Sequence, residues 1–238
     1  MPGEKSRKPW KIVAIVAVVL VVLVVGGPFA YIHFFSSSAP AKLSITDNGS
    51  SGTTTTLGKA TVALDGTWKV TSGSQAGYRV NEVLFGQSTT AVGRTSSVTG
   101  QMVIVGTQVS SATFTVDLTT VHSDKSQRDD QFQTRIMDTA QFPHATFATT
   151  APITLSTVPT NGVVIHPDAT GQLTLHGVTK PVTVSLTARR SGNLIEVSGS
   201  IPIVFADYQI PNPSAAGVVT TEDHGVIEFL LHFAPASS

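Results

Sequence analysis

The 238-residue sequence contains no cysteine. That excludes a disulfide framework, thiol catalysis and cysteine-ligated zinc or iron–sulfur sites. It leaves an extracytoplasmic location open, because a domain of this size buries enough core without disulfides. Charge is also scarce, with 15 basic and 15 acidic side chains and 13% charged residues. The balance is uneven along the chain. Residues 1–11 hold Lys5, Arg7, Lys8 and Lys11 against Glu4, a net +3, and the remainder carries −3. A mildly acidic body gives no electrostatic support for binding nucleic acid.

Chemical motifs are missing as well. There is no Gly-x-Ser-x-Gly, no phosphate loop and no dinucleotide fingerprint. His122, His144, His166 and His224 show no His-x-x-x-His spacing, so the sequence points to no metal site. No cofactor and no catalytic residue are expected, and the chain reads as a binding protein rather than an enzyme.

What the sequence does have is one long apolar run. Ile12 to Phe35 is 24 residues with a single ionisable side chain, His33. As a helix it would measure about 36 Å, against a hydrocarbon core of roughly 30 Å. Basic residues flank it on the N-terminal side, which places the N-terminus in the cytoplasm and everything after Ser36 outside. Ala39-Pro40-Ala41 has the small-x-small pattern of a signal-peptidase site, so secretion after cleavage is the alternative. The run exceeds the ~7–15 residues of a signal h-region, which favours a retained signal anchor. The expected organisation is a cytoplasmic basic segment over 1–11 and a single transmembrane anchor over 12–35. A flexible Ser/Thr/Gly-rich linker follows over 36–60, and an extracytoplasmic domain over 61–238. Extended, that linker would reach roughly 80 Å.

Beyond Thr61 the pattern has period two. Phe114, Val116 and Leu118 alternate with Thr115, Asp117 and Thr119. Val182, Val184, Leu186 and Ala188 alternate with Thr183, Ser185 and Thr187, and Ser191-Gly192-Asn193 turns the chain. Ile195, Val197, Ile201 and Ile203 follow on one parity, then Ile227, Phe229, Leu231 and Phe233 opposite Glu228 and His232. Such runs, separated by turns, indicate an antiparallel sheet closed into a barrel or folded into a sandwich. One helix interrupts them. Phe132, Ile136 and Ala140 recur every fourth residue, which predicts a short amphipathic helix over Arg128–Ala140, ending before Phe142-Pro143. It is expected to cap the sheet structure. Arg189-Arg190 reads as a solvated strand end, and the Ile210–Ser214 loop with its two prolines as a rim loop.

Several of these pieces resemble a known family. Arg128-Asp129, the acid Asp138, the Phe142-Pro143 step into Thr146-Phe147, and above all "GQLTLHGVTKPV" from Gly171 to Val182 are similar to the YceI-like family of bacterial lipid-binding proteins. The resemblance extends over roughly Leu64 to Phe233. Two stretches depart from the family pattern: "SQAGYRVNEVLFGQ" lacks its usual His, and "VFADYQIPNPS" lacks its usual Arg before a Phe-Gly step.

The resemblance implies an all-β fold, an extended antiparallel lipocalin-like β-barrel with a short inserted helix; the apolar run over 12–35 sets one N-terminal transmembrane helix before it. It implies an apolar tunnel for a polyisoprenoid, an isoprenoid quinone or another long-chain amphiphile. Alternation supplies the tunnel candidates: Phe114, Val116, Leu118, Phe147, Leu173, Leu175, Val184, Leu186, Ile201, Ile203, Phe229 and Leu231. Arg128, Asp129 and His176 are candidates for the mouth or for a ligand head group. His176 has a structural alternative, bonding a backbone carbonyl at a strand end, and Arg128-Asp129 has one as a helix start. Each buried CH₂ contributes about 0.8 kcal/mol, so chain burial alone supplies tight binding and a head-group contact would set orientation. The rivals are a ligand-free envelope-stress or interaction module and a hydrolase using His176.

Overall fold

The computed structural model describes residues 39–45, 59–84, 86–155, 160–214 and 219–236. The expected basic segment and membrane span lie outside these residues. Among the described residues no helix is long and apolar enough to cross a membrane.

The strands are β1 (Gly66–Val70), β2 (Gln75–Leu84), β3 (Gln87–Thr95), β4 (Val98–Val105), β5 (Gln108–Asp117), β6 (His144–Thr149), β7 (Ile153–Thr154), β8 (Val164–Ile165), β9 (Asp168–Leu175), β10 (Val178–Ser191), β11 (Leu194–Val204), β12 (Val219–Thr221) and β13 (His224–Pro235). Eight of them, in the order β1-β4-β5-β6-β9-β10-β11-β13, form an antiparallel ring that closes where β13 meets β1 again. Closure leaves the ring without a free edge to template aggregation.

The seam of the barrel is divided between two partners. The last part of β13 pairs with β1, with Trp68 opposite Pro235 and Val70 opposite Phe233. Its earlier part, Val226–Leu230, pairs with β2 instead. β2 pairs with β3 from Ala76 to Leu84, and an Arg94–His122 bridge ties the end of β3 to the segment between β5 and the helix. One end of the wall is thus carried by β1 and the other by β2 and β3.

Inside, the alternation works as the sequence indicates. Leu231 and Phe233 are buried in one apolar cluster with Trp68, Met102 and Ile195. A second cluster gathers Leu118, Phe132, Leu175, Phe205 and Tyr208 at the other end. The turn at Gly192-Asn193 joins β10 to β11 where expected. His176 (φ 50°) and Gly177 (φ 76°) join β9 to β10 as a two-residue hairpin of the left-handed type.

The helix is shorter than the expected span and starts earlier. Helix α1 covers Ser126–Gln131 and continues as one wide π turn over Phe132–Ile136, where Met137 N–H donates to Phe132 O at 2.9 Å. Asp138 then turns left-handed (φ 41°), and Thr139 N–H donates back to Gln133 O at 2.8 Å. This is the reverse-turn closure of a helix C-terminus, made by an Asp whose short side chain tolerates φ > 0. The helix therefore stops at Asp138, before Phe142-Pro143 can influence it.

The expected linker is not free where it is described. Residues 39–45 lie along the outside of the barrel, held by Arg79, Arg94 and Ser198. Before β1 the chain is held again, by Asn193 Oδ1, which accepts from Thr61 N at 2.9 Å.

Candidate functional site

The barrel interior is hollow. A cavity of about 160 Å³ fills one half and a larger one of about 800 Å³ the other. Ala76, Val116, Ala145 and Ile227 line both, so the two chambers meet at these residues.

All twelve tunnel candidates stand on the passage wall. Phe114, Phe147, Leu173, Val184, Leu186, Ile201, Phe229 and Leu231 line the smaller chamber. Leu118, Leu175 and Ile203 line the larger one, and Val116 stands where the two meet. The cause is the pleat: side chains two apart on a closed antiparallel wall all point inward. Phe114 stacks beside Phe147 (centroids 6.4 Å) and meets Phe233 edge-on at 5.7 Å.

Arg190 lies at the far end of the smaller chamber. Its side chain is not a solvated strand end: the residue is only 9% exposed and lines the chamber. Nε donates to Gly192 O at 2.9 Å, and Nη2 donates to Val62 O. Two carbonyls satisfy the guanidinium where the barrel narrows against the segment preceding β1. Arg189 points elsewhere and pairs with Glu196 at 2.7 Å.

The opposite end lies under α1. Phe132, Ile136 and Met137 form the chamber roof, with the exposed Gln127 and Gln131 at its margin. Ile210 and Pro213 complete the rim, and Arg135 Nη2 donates to Pro213 O at 3.2 Å. The proline loop is a rim element because its carbonyls, lacking a strand partner, are available to the helix.

Polar and charged side chains also line this chamber, and Arg128, Glu82 and Tyr78 are among them. Arg128 lines the larger chamber, paired with Asp124 one helical turn back and with Glu82 at 3.4 Å. Burial opposes its charge, but the two carboxylates outweigh that and hold its proton more tightly than in free arginine. The Tyr78 side chain lines the same chamber, and burial is the main cause that pushes its hydroxyl well above the ordinary tyrosine value. Tyr78, Glu82 and Arg128 thus form one polar set at the mouth.

Asp129 and His176 are elsewhere. The Asp129 carboxylate accepts from Ser123 N at 2.8 Å and Ser123 Oγ at 2.7 Å, fixing the chain as it enters α1. His176 Nδ1 is 3.1 Å from Tyr208 O, and its ring meets Phe142 edge-on at 4.7 Å. A carbonyl and a benzene ring hold the imidazole in place. Among the described residues no group of three or more His, Asp or Glu side chains could hold a metal ion.

Sequence reasoning missed two features. Tyr78 lies on the inward parity of β2 with Ala76 and Val80, an alternation visible in "AGYRVNEVL" but diluted by Glu82. Glu228 lies on the outward parity of β13, yet is only 3% exposed. It is covered by Arg79 (Nε–Oε2 3.3 Å) and Arg94 (Nη2–Oε1 2.8 Å). No local signal marks that triad, whose members are brought together by strand pairing.

Comparison with known proteins gives a consistent picture. The YceI-like domain model matches residues 68–233. A UPF0312 protein of Vibrio parahaemolyticus is 31% identical over 116 residues, which are 46% of this chain and 58% of that protein. A UPF0312 protein of Vibrio campbellii is 30% identical over 116 residues with the same coverage. The chain thus spans 58% of the length of these curated relatives. Among solved structures, a polyisoprenoid binding domain from Saccharophagus degradans, implicated in plant cell wall breakdown, superposes with a TM-score of 0.57 at 18% identity. It covers 71% of this chain and 98% of that one. BcnA of Burkholderia cenocepacia gives a TM-score of 0.50 at 23% identity, covering 65% and 95%. At these identities the two structures speak to the fold.

Proposed function

This chain belongs to the YceI-like family, and we propose that it binds a long-chain isoprenoid lipid in the barrel passage while tethered to the outer face of a cytoplasmic membrane. The observation that carries this reading is the hollow interior: a barrel built only as a scaffold would fill its centre with side chains. Here the apolar wall is continuous from Phe233 at one end to Phe132 at the other.

An apolar void of this kind gains nothing from water and gains about 0.8 kcal/mol for each CH₂ it receives. A few isoprene units therefore supply the affinity before ordering costs are met. The mouth set of Tyr78, Glu82 and Arg128 suits a polar head that hydrogen-bonds, such as a quinone or a prenyl alcohol or phosphate. The Saccharophagus domain, described as polyisoprenoid binding, is similar in fold and supports the ligand class. The apolar run over 12–35 supports the tether, with storage of a lipid or its transfer to and from the bilayer as the use. Nothing in the braced environment of His176 favours hydrolysis.

The test is to produce residues 39–238 in a bacterial host, purify them without detergent, and identify organic-solvent extracts by mass spectrometry. A stoichiometric isoprenoid or other long lipid supports the carrier. An empty extract, with no uptake of added quinone or polyprenyl phosphate, removes the carrier reading and leaves a ligand-free interaction module.

A further inference from the structure

We infer that Ala39–Ile45 is a fixed strap that sets the barrel with its α1 end against the bilayer, so that the larger chamber opens onto lipid and the smaller points away. This rests on the tethered-carrier reading and adds the orientation that reading lacks.

The path of the strap carries the inference. Pro40 O accepts from Arg79 Nη2 at 2.7 Å, and Ala41 O accepts from Arg94 Nη2. Ile45 N donates to Ser198 Oγ at 3.3 Å. The strand register gives the height of each contact. Arg79 stands opposite Val226, and Ser198 opposite Leu230. Between Pro40 and Ile45 the strap therefore runs from the α1 end of β13 toward its other end. The next described contact, Thr61 with Asn193, is at the β10–β11 turn, the far end of the barrel. The chain arrives beside the mouth, and Ala39 and Pro40 border the outer margin of the larger chamber.

Both arginines that hold the strap are themselves held. Glu228 engages one guanidinium with each carboxylate oxygen at 3% exposure, so the donors facing Pro40 and Ala41 are aimed before the strap arrives. A pair of charge-assisted donors on consecutive carbonyls is a specific clamp for backbone, indifferent to side chains. Leu43 and Ile45 are half-buried while Lys42 and Ser44 are exposed, the alternation of an extended segment resting on a wall.

Distance then fixes the partner. The apolar run ends at Phe35, and three residues, 36–38, precede the strap. They reach at most about 10 Å. A linker of full length would let the barrel wander, whereas the clamped strap keeps the mouth within one lipid head-group layer of the surface. In this orientation the Arg190 end, held on the Gly192 and Val62 carbonyls, faces away from the bilayer.

Because the chain has no cysteine, single introduced thiols report position cleanly. We would label Ser126→Cys, exposed on α1, and Val105→Cys, 61% exposed at the opposite end. The full chain would be reconstituted in phosphatidylglycerol–phosphatidylethanolamine vesicles carrying a nitroxide head-group lipid. Several-fold stronger quenching at 126 than at 105 is expected. The contrast should vanish when about twenty Gly/Ser residues, a coil of roughly 25 Å, are inserted before Ala39. That change alters neither the strap nor the barrel wall. Equal quenching at both sites, or stronger quenching at 105, in protein that floats with the vesicles overturns the orientation and leaves the tether standing. Protein that does not float overturns both.

Discussion

The Tyr78 ring on β2 stacks against the Phe132 ring of the helix, with centroids 5.1 Å apart and planes 13° from parallel. This contact joins the helix over the chamber to a paired strand of the wall. Phe132→Ala should cost about 3–4 kcal/mol by removing a buried aromatic. It should also free the chamber roof. Denaturant unfolding measures the first effect, and the dissociation rate of a bound apolar dye the second. Loss of stability without faster release would show that the helix is not the gate.

The junction between the chambers offers a way to separate them. Ala145→Phe places a ring between Val116 and Ile227, at an overpacking cost of about 1–3 kcal/mol. A long lipid that threads both chambers should lose about tenfold or more in affinity, the equivalent of two CH₂ groups at ~0.8 kcal/mol each. A short apolar dye held in the larger chamber should keep its affinity. Titration of both ligands against both proteins gives the comparison.

Tyr78 makes stability depend on alkaline pH. Burial raises its folded-state pKa above the ordinary value of 10.0. The contribution is complete below pH 10, where the hydroxyl is neutral in both states. Above pH 10 the unfolded chain loses the proton first, so stability falls as pH rises toward the folded-state value. Tyr78→Phe should flatten this alkaline decline, as read by unfolding midpoints between pH 8 and 11.

His176→Ala removes the group between the Tyr208 carbonyl and the Phe142 ring. A loss of about 1–2 kcal/mol is expected, with ligand binding preserved. His176→Asn should recover part of it, since Asn tolerates the left-handed backbone that position 176 adopts. A variant of full stability that loses a measured hydrolytic activity would instead support the enzyme rival.

Glu228→Gln leaves two clustered guanidiniums with a neutral partner. Both arginines keep some solvent contact, with 14% and 23% of their side chains exposed. A cost at the lower end of the range for breaking a buried pair, about 3 kcal/mol, is therefore expected. Thermal unfolding at low and high salt would measure it. A salt-insensitive change below the scatter of surface substitutions would show the triad to be incidental.

The sequence by itself determined the strand character of β5, β10, β11 and β13 and which of their residues share a face, because alternation is a local consequence of the pleat; which face lines the interior was decided by barrel closure. It also marked the turn at Gly192-Asn193 and the presence of a helix after Asp117. Where the helix stops was less legible: Pro143 is the louder signal, but Asp138 is the residue whose backbone turns. Tertiary structure alone decided that the centre stays open, since a void depends on how eight strands set the barrel's width. It decided that Arg190 is buried on two backbone carbonyls while its neighbour Arg189 pairs with Glu196. It also decided that residues 39–45 lie docked, because the clamp needs Arg79, Arg94 and Glu228, three residues far apart in sequence that only the barrel seam brings together.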